Sequence, residues 1–169
     1  MPIVSSDLKI RYSGGAANSN QAQSIGGAKS SVEPTDNLLN NMFSDSLGNE
    51  SLAGSTKYRL AYLHNGHATL TAKNVRIYIL SNSTSTDSTW AIGLASAGLN
   101  GTETAIANED TAPAGVSFSS PSDYATGLAP VDIPAGQHFG VWYRRTQSPG
   151  AAANDADTTS INFDCDTNA

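Results

Sequence analysis

The stretches KYRLAYLH (57–64), NVRIYIL (74–80), HFGVWYRRT (138–146) and TSINFDC (159–165) decide the fold class. They are dense in β-branched and aromatic residues, which favour strands. Clusters of Gly, Asn, Pro and Ser separate them, as in antiparallel sandwiches. We therefore expect an all-β protein, an antiparallel β-sandwich of immunoglobulin-like or jelly-roll type. The predicted strands lie at about 56–64, 67–72, 74–81, 89–95, 115–119, 128–133, 137–146 and 158–165.

The N-terminal region differs in composition from the rest of the chain. The stretch 13–35 is rich in Gly, Ser, Ala and Asn, so it cannot form a core by itself. Before it, apolar and basic residues alternate in the order Leu8, Lys9, Ile10, Arg11 and Tyr12, the period of a half-buried strand. We expect an extended N-terminal arm over 1–35 and a single β-sandwich domain over 36–169. The arm is either a solvated tail or a strand that pairs with a neighbouring subunit, and the alternation favours the second.

Residues 36–53, DNLLNNMFSDSLGNESLA, show the period of a helix. Asp36 is suited to cap the N-terminus of a helix, and a short apolar stripe follows it. The stripe consists of Leu38, Leu39, Met42 and Phe43. We expect one short helix or helical turn that closes one end of the domain, because such stripes are more often core than binding site.

The charge of the chain argues against nucleic acid as a partner. The 169 residues include 9 basic and 15 acidic side chains, a net charge of −6. Binding to a phosphate backbone requires clustered Lys and Arg, which are lacking here. No stretch approaches the roughly 20 apolar residues of a membrane span, and the first residues do not resemble an export signal. We therefore expect neither nucleic acid nor a membrane as a partner.

The sequence His64-Asn65-Gly66-His67 is the strongest candidate for a metal site. Two imidazoles on either side of a tight turn could chelate a transition metal. Asn-Gly is also the strongest signal for a two-residue hairpin, which would place the two histidines opposite each other as strand-end residues. No third ligand accompanies the pair, so we favour the hairpin.

No pattern in the sequence predicts catalysis. The single cysteine, Cys165, has no partner for an internal disulfide, and its flanking acids disfavour the thiolate. The acidic pairs Asp155/Asp157 and Glu109/Asp110 could bind calcium, but they lack the spacing of a dedicated site, and solvated loop acids are the favoured interpretation. We expect no enzymatic activity and no cofactor.

Aromatic residues offer an alternative, a platform for sugar rings. The candidates are Trp90, Tyr124, Trp142 and Tyr143. Trp142 and Tyr143 are neighbours on one predicted strand and must point to opposite faces, so at least one of them should be core. A sandwich of this size usually buries a Trp between its sheets, which favours the core interpretation.

Five strings together resemble the structural proteins of tailed bacteriophages, of the capsid decoration or cement kind. The strings are YSGGA (12–16), SIGGA (24–28), YRLAY (58–62), HATLT (67–71) and VWYRRT (141–146). The resemblance implies a β-sandwich on the outer surface of the virion capsid, commonly a homotrimer, that binds the major capsid protein and stabilises the head. The lack of disulfides fits synthesis in the reducing cytoplasm of a bacterial host.

We assign binding of the capsid or of other subunits to the strand of the arm and to the apolar stripe after Asp36. The candidate residues are Leu8, Lys9, Ile10, Arg11, Tyr12, Leu38, Leu39, Met42 and Phe43. Two alternatives remain open, a receptor- or glycan-binding module of a virion fibre or tail and a bacterial surface module of immunoglobulin type.

Overall fold

The computed structural model of the protein describes residues 2–154 and 157–166. Within these ranges the chain forms six strands, one short helix and two 3-10 turns. The strands are β1 (Leu8–Tyr12), β2 (Ser55–Asn65), β3 (Lys73–Ser81), β4 (Ser88–Leu99), β5 (His138–Gln147) and β6 (Ser160–Asp166). The helix is α1 (Gly48–Ala53), and the 3-10 turns span Ser5–Asp7 and Gln21–Gln23. None of the helical segments in these ranges is long and apolar enough to cross a membrane.

The strands form two antiparallel sheets, one of four strands in the order β1-β2-β5-β4 and one of two strands, β3-β6. This confirms the expected all-β, sandwich-like fold. Alternate residues of the four-stranded sheet point to opposite sides, and both faces are buried. The face towards the small sheet includes Ala61, Leu63, Ile92, Val141 and Tyr143. The other face, which includes Leu60, Tyr62 and Trp142, packs beneath loop side chains.

Three of the expected strands are wrong, since 67–72, 115–119 and 128–133 contribute only isolated bridges. In the first, the His67 ring nitrogen accepts from two backbone N–H groups two and three residues further on, which competes with strand pairing. In the last, Pro130 has no N–H to donate to a ladder.

The expected hairpin at His64-Asn65-Gly66-His67 is also wrong, because β2 and β3 belong to different sheets. The buried Asn65 amide donates to the carbonyls of Leu70 (2.8 Å) and Ile133 (2.9 Å) and accepts from the His67 N–H (3.0 Å). These bonds turn the chain out of one sheet towards the other instead of reversing it within one sheet.

The N-terminal region packs on the sandwich of its own chain. β1 pairs antiparallel with β2, from Leu8 opposite Asn65 to Tyr12 opposite Ala61. This differs from both expected arrangements, a solvated tail and pairing with a neighbouring subunit. Pairing within one chain avoids the loss of translational and rotational freedom that association of two chains costs, which favours it.

Residues 13–30 follow the same side of the sheet, although they carry few apolar side chains. The Leu60 N–H donates to the carbonyl of Ser24 (2.7 Å), and the Tyr62 hydroxyl donates to the carbonyl of Gly27 (2.6 Å). Gly26 has φ +122°, and a Cβ at this position would lie 2.3 Å from the Cα of Ala105. Glycine thus permits a close approach that hydrogen bonds, rather than apolar burial, stabilise.

Residues 36–53, here called the covering segment, do not form a helix at the predicted stripe. The helix α1 begins only at Gly48, and residues 36–43 form turns. Asn37 (φ 58°) and Asn40 (φ 61°) adopt left-handed backbone conformations, which interrupt a right-handed helix. The predicted stripe is therefore split, with Met42 and Phe43 buried and the two leucines exposed.

Candidate functional site

A cluster of charged side chains lies where the covering segment meets β2. The Lys57 ammonium lies 2.6 Å from a carboxylate oxygen of Glu50 and 2.5 Å from one of Glu109. Arg59, which is fully buried, pairs with the other oxygen of Glu109. The Glu50 carboxylate also accepts from the N–H of Leu47, at 2.9 Å. The cluster therefore holds both α1 and the loop around residue 109 against β2.

The pKa values in this cluster move away from neutrality. Burial alone would lower the pKa of Lys57, but its bonds to Glu109 and Glu50 outweigh burial and raise it. The hydrogen bond from Lys57 lowers the pKa of Glu50. Burial opposes ionisation of Glu109, yet the bonds from Lys57 and Arg59 lower its pKa as well. A general acid or base works best with a pKa near the working pH, so these groups are suited to fixed ion pairs.

Arg145 and Phe43 anchor the middle of the covering segment. The Arg145 guanidinium donates to the carbonyl of Ser44 (3.0 Å) and to the hydroxyl of Ser46 (3.2 Å). It also lies 5.1 Å from the centroid of the Phe43 ring, and that ring meets Trp90 edge to face at 4.8 Å. The segment is therefore fixed on the sandwich by polar and aromatic contacts together.

The same segment exposes four leucines, here called the leucine surface. The exposed fractions are 59% for Leu38, 69% for Leu39, 63% for Leu47 and 76% for Leu52. Single exposed apolar side chains are common on protein surfaces, whereas apolar residues grouped on a surface mark interaction sites. These four exposed leucines lie within 15 residues of one anchored segment. The leucine surface is therefore a candidate site for binding another protein.

A cleft of about 420 Å³ lies between β1 and β6. Consecutive residues of both strands line it, Leu8 to Ile10 on one side and Ile161 to Asp164 on the other. Met42, Trp90 and Tyr143 contribute apolar and aromatic surface, and Pro34 and Asp36 also line it. Its volume falls in the range of ligand sites, roughly 300–1,000 Å³.

The structure brings together some of the residues predicted to bind the capsid or other subunits. Leu8, Lys9, Ile10 and Met42 line the β1–β6 cleft. Lys9 and Arg11 both pair with Glu33, at 3.0 and 3.1 Å.

The other predicted residues separate into buried and exposed groups. Tyr12 is buried, and its hydroxyl donates to the carbonyl of Asn41 at 2.6 Å. Phe43 is a buried anchor rather than a contact surface, because Trp90 and two arginines surround its ring. Leu38 and Leu39 are exposed and belong to the leucine surface.

The histidines and loop acids are engaged in bonds within the chain. His64 Nδ1 lies 3.2 Å from the carbonyl of Gln137. Asp157 accepts from the Ser83 hydroxyl (2.5 Å), while its partner in the suggested calcium pair, Asp155, lies outside the described residues. Among residues 2–154 and 157–166, no group of three or more His, Cys, Asp and Glu is placed to hold a metal ion.

The four aromatic residues considered for a sugar platform do not share an exposed face. Trp142 and Tyr143 are both fully buried, on opposite faces of the four-stranded sheet. Trp90 packs on Phe43, and Tyr124 lies beneath the Arg76 guanidinium at 5.7 Å. These residues therefore offer no common stacking surface.

The sequence did not predict two features of the site: the β6 side of the cleft, and the ion pairs of Lys57 and Arg59 with Glu109. Ile161 and Phe163 belong to a correctly predicted strand, but nothing in the local pattern places that strand beside β1. The sequence suggests Glu109 as a calcium ligand or a solvated loop acid, and not as the partner of buried cations. The useful signal was the pair Lys57 and Arg59 on one face of a strand otherwise dense in apolar residues, because buried cations require a carboxylate partner.

Comparison of the chain with protein-family models, with curated proteins and with solved structures finds no match in any of the three.

Proposed function

We propose that the protein is a non-enzymatic structural component of a tailed-bacteriophage virion, a capsid decoration or cement protein. It binds the major capsid protein on the outer surface of the head and stabilises the shell, after synthesis in the cytoplasm of the bacterial host. The observation that carries the proposal is the leucine surface, four exposed leucines on a segment anchored to the sandwich. The five strings that resemble phage decoration proteins supply the class of partner.

The leucine surface can provide substantial binding free energy. Complete burial of a fully exposed leucine stabilises by about 1.5–3 kcal/mol. The four leucines are 59–76% exposed, so their burial gives roughly 4–8 kcal/mol before the costs of association. The covering segment is already held by Arg145, Phe43 and Lys57, so little conformational freedom is lost on binding. A preorganised apolar surface of this kind favours a stable complex.

The chemistry of the charged groups supports a role in binding rather than catalysis. The cations at 57 and 59 and the carboxylates at 50 and 109 serve as ion pairs between elements. The Cys165 thiol has a raised pKa because of burial and the neighbouring Asp166 and Asp164, which disfavours the nucleophilic thiolate.

The proposal includes a homotrimer on the shell. Closed symmetry lets identical apolar surfaces cover one another, so part of the leucine surface would face a neighbouring subunit and part would face the capsid. Light scattering of the free protein and reconstruction of the particle measure the number of subunits, and a monomer under both conditions would contradict this part of the proposal.

The central experiment uses heads of the encoding phage that lack this protein. The double variant Leu38→Ser with Leu39→Ser should bind these heads at least 10-fold more weakly than the natural chain. Leu80→Ser is the matched control, because Leu80 is also exposed but lies on β3, outside the covering segment. Occupancy is measured by sedimentation with the heads, and head stability by DNA release on heating.

The outcomes separate the proposed function from its alternative. Normal occupancy of the double variant would show that the leucine surface is not the contact. Location of the natural protein at the tail or fibre would instead support a receptor- or glycan-binding module and would exclude head decoration.

A further inference from the structure

The outer edge of β1 has unpaired backbone groups at Ile10 and at the Leu8 carbonyl. The Gly66 N–H donates to the carbonyl of Asp7 (2.6 Å), the residue just before β1. Because hydrogen-bonded pairs alternate along an antiparallel ladder, the residues of β1 that bond to β2 are Lys9 and Arg11. Leu8, Ile10 and Tyr12 therefore point their N–H and C=O groups away from β2. The Tyr12 N–H donates to the carbonyl of Val32 (3.0 Å), and the Tyr12 carbonyl accepts from the Ser30 N–H (2.8 Å). The Leu8 N–H donates to the carbonyl of Ser5. Among the described residues, the Leu8 carbonyl and both backbone groups of Ile10 have no backbone partner on that side.

The outer edge of β6 is open in the same way. Ile77 of β3 exchanges backbone hydrogen bonds with Leu128, at 3.0 and 2.9 Å, on the side of β3 away from β6. Ile77 therefore cannot use these groups for Phe163, which lies opposite it in the β3–β6 ladder. The N–H and C=O of Phe163 consequently point to the other side of β6, and the same alternation applies to Ile161. In the part of the chain that the structure describes, neither residue has a backbone partner on that side.

Both open edges border the β1–β6 cleft. Successive residues of a strand point to opposite faces, so a cavity lined by Leu8, Lys9 and Ile10 together runs along the edge of β1. The lining of consecutive residues 161–164 shows the same for β6. The cleft therefore runs along one edge of each sheet.

Two further hydroxyl groups in the wall of the cleft lack partners. The Tyr143 hydroxyl and the Thr159 hydroxyl are buried and make no hydrogen bond among the described residues. A buried polar group without a partner costs free energy, so an occupant that offers hydrogen bonds is favoured over a purely apolar one.

The charges around the cleft favour a basic occupant. Glu33 lines the cleft but already pairs with Lys9 and Arg11. In the lining that the structure describes, the acidic residues without a cation in an ion pair are Asp36 and Asp164. A second copy of this chain, with a net charge of −6, is electrostatically unfavourable there.

We infer that the β1–β6 cleft binds an extended, basic peptide segment of a partner protein by strand addition to the edge of β1. The backbone of the segment bonds to the Leu8 carbonyl and to the N–H and C=O of Ile10. Its alternate apolar side chains enter the cleft against Ile161 and Phe163, and a flanking Lys or Arg meets Asp36. None of the four leucines lines the cleft, so the inference does not rest on the proposed function.

The experiment uses the full chain and synthetic hexapeptides with alternating Val and Thr and a Lys at each end. Binding is measured by calorimetry, and the bound edge by amide hydrogen exchange. In the free protein we expect the Ile10 amide to exchange faster than the amides of Lys9 and Arg11, which point towards β2. The peptide should slow exchange at Ile10 and leave the β1–β2 ladder unchanged.

Peptide variants provide controls that cannot unfold the protein. N-methylation of the peptide amides that face β1 should weaken binding at least 10-fold, whereas methylation of the alternate amides should change it less than 2-fold. Replacing both terminal Lys residues by Glu should also weaken binding at least 10-fold. Equal effects of the two methylation patterns, or no binding at millimolar peptide, would overturn the inference.

A matched pair of protein variants tests the charge of the rim. Asp36→Lys should weaken binding of the Lys-flanked peptide about 10-fold. Asp45→Lys changes an exposed acid of the same covering segment that does not line the cleft, so it should leave binding within 2-fold. Protection of Ile10 that rises with protein concentration in the absence of peptide would identify a second copy as the occupant and contradict the inference.

Discussion

Asn65 is the residue on which the turn between the two sheets depends. Its amide donates to the carbonyls of Leu70 and Ile133, and its oxygen accepts from the His67 N–H. Two of these bonds shape the local turn, and the bond to Ile133 joins it to a distant part of the chain. A side chain of the same shape that cannot donate would place a carboxylate against two carbonyl oxygens. The residue is therefore needed for its chemistry rather than for its shape.

Asn65→Asp should lower the free energy of unfolding by about 2–4 kcal/mol, because two buried acceptors lose their donors. Asn108→Asp is the matched control, since Asn108 is exposed and uses its oxygen to accept from Asp110 N–H and from Thr111. The control should change stability by less than about 0.5 kcal/mol. Urea unfolding measures both, and a similar loss in the two variants would show that the donor bonds of Asn65 are unimportant.

At the scale of elements, β1 is part of the sheet rather than a dispensable arm. Tyr12 and Ile3 are buried in the core, and β1 covers the edge of β2 from Ala61 to Asn65. Removal of β1 would expose a strand edge next to apolar side chains, and such edges pair with other chains.

Deletion of residues 1–12 should therefore lower the thermal midpoint by several degrees or more and cause concentration-dependent association. Val4→Ser is the control, since Val4 is half exposed and its loss should leave the midpoint nearly unchanged. Calorimetry and light scattering are the measurements. A monomeric deletion variant with the natural midpoint would show that β1 adds nothing to the sandwich.

Strands with a clear period of two could be predicted from the sequence. The positions of β2, β3, β5 and β6 match the expectation within a few residues because their apolar residues alternate or cluster between turn signals. The helix was misplaced because two asparagines adopt left-handed conformations, which the apolar spacing does not reveal. The failed hairpin at Asn65 has a similar cause, since a long-range bond to Ile133 overrides the local turn preference.

The candidate site was predictable only in part, because it too depends on contacts between distant parts of the chain. The alternation at Leu8–Tyr12 indicated a strand that needs a sheet, but it did not indicate which sheet edge lies nearby. The cleft depends on the proximity of β1 and β6, which are separated by most of the chain. Which strand edges remain open is a property of the complete topology.

At the scale of the whole molecule, stability should fall in two stages on acidification. Burial lowers the pKa of His64 and His138 from the ordinary 6.5, so the unfolded chain binds protons first and stability decreases as the pH falls below about 6.5. The pKa values of Glu50 and Glu109 are also lowered, so their ion pairs too lose stabilising free energy as the pH falls. This second loss begins near their ordinary pKa of 4.5.

Urea unfolding at pH 7, 5.5, 4 and 3 tests this order. Glu109→Gln should be less stable at pH 7, because it leaves Arg59 buried without its carboxylate, and should lose less than the natural chain between pH 4.5 and 3. Between pH 7 and 5.5, the free energy of unfolding of Glu109→Gln should fall by the same amount as that of the natural chain. An unaltered acid step in this variant would show that the Glu109 ion pairs do not contribute to it.

The strand order has a consequence for synthesis on the ribosome. β5 lies between β2 and β4 in the large sheet, yet it is the last of the three to be translated. The ladder between β2 and β5 also joins residues far apart in the chain, which slows folding. Until Gln147 has left the exit tunnel, the nascent chain holds two long strands without the strand that joins them. A transcript that ends early would therefore release an aggregation-prone fragment rather than a smaller folded protein.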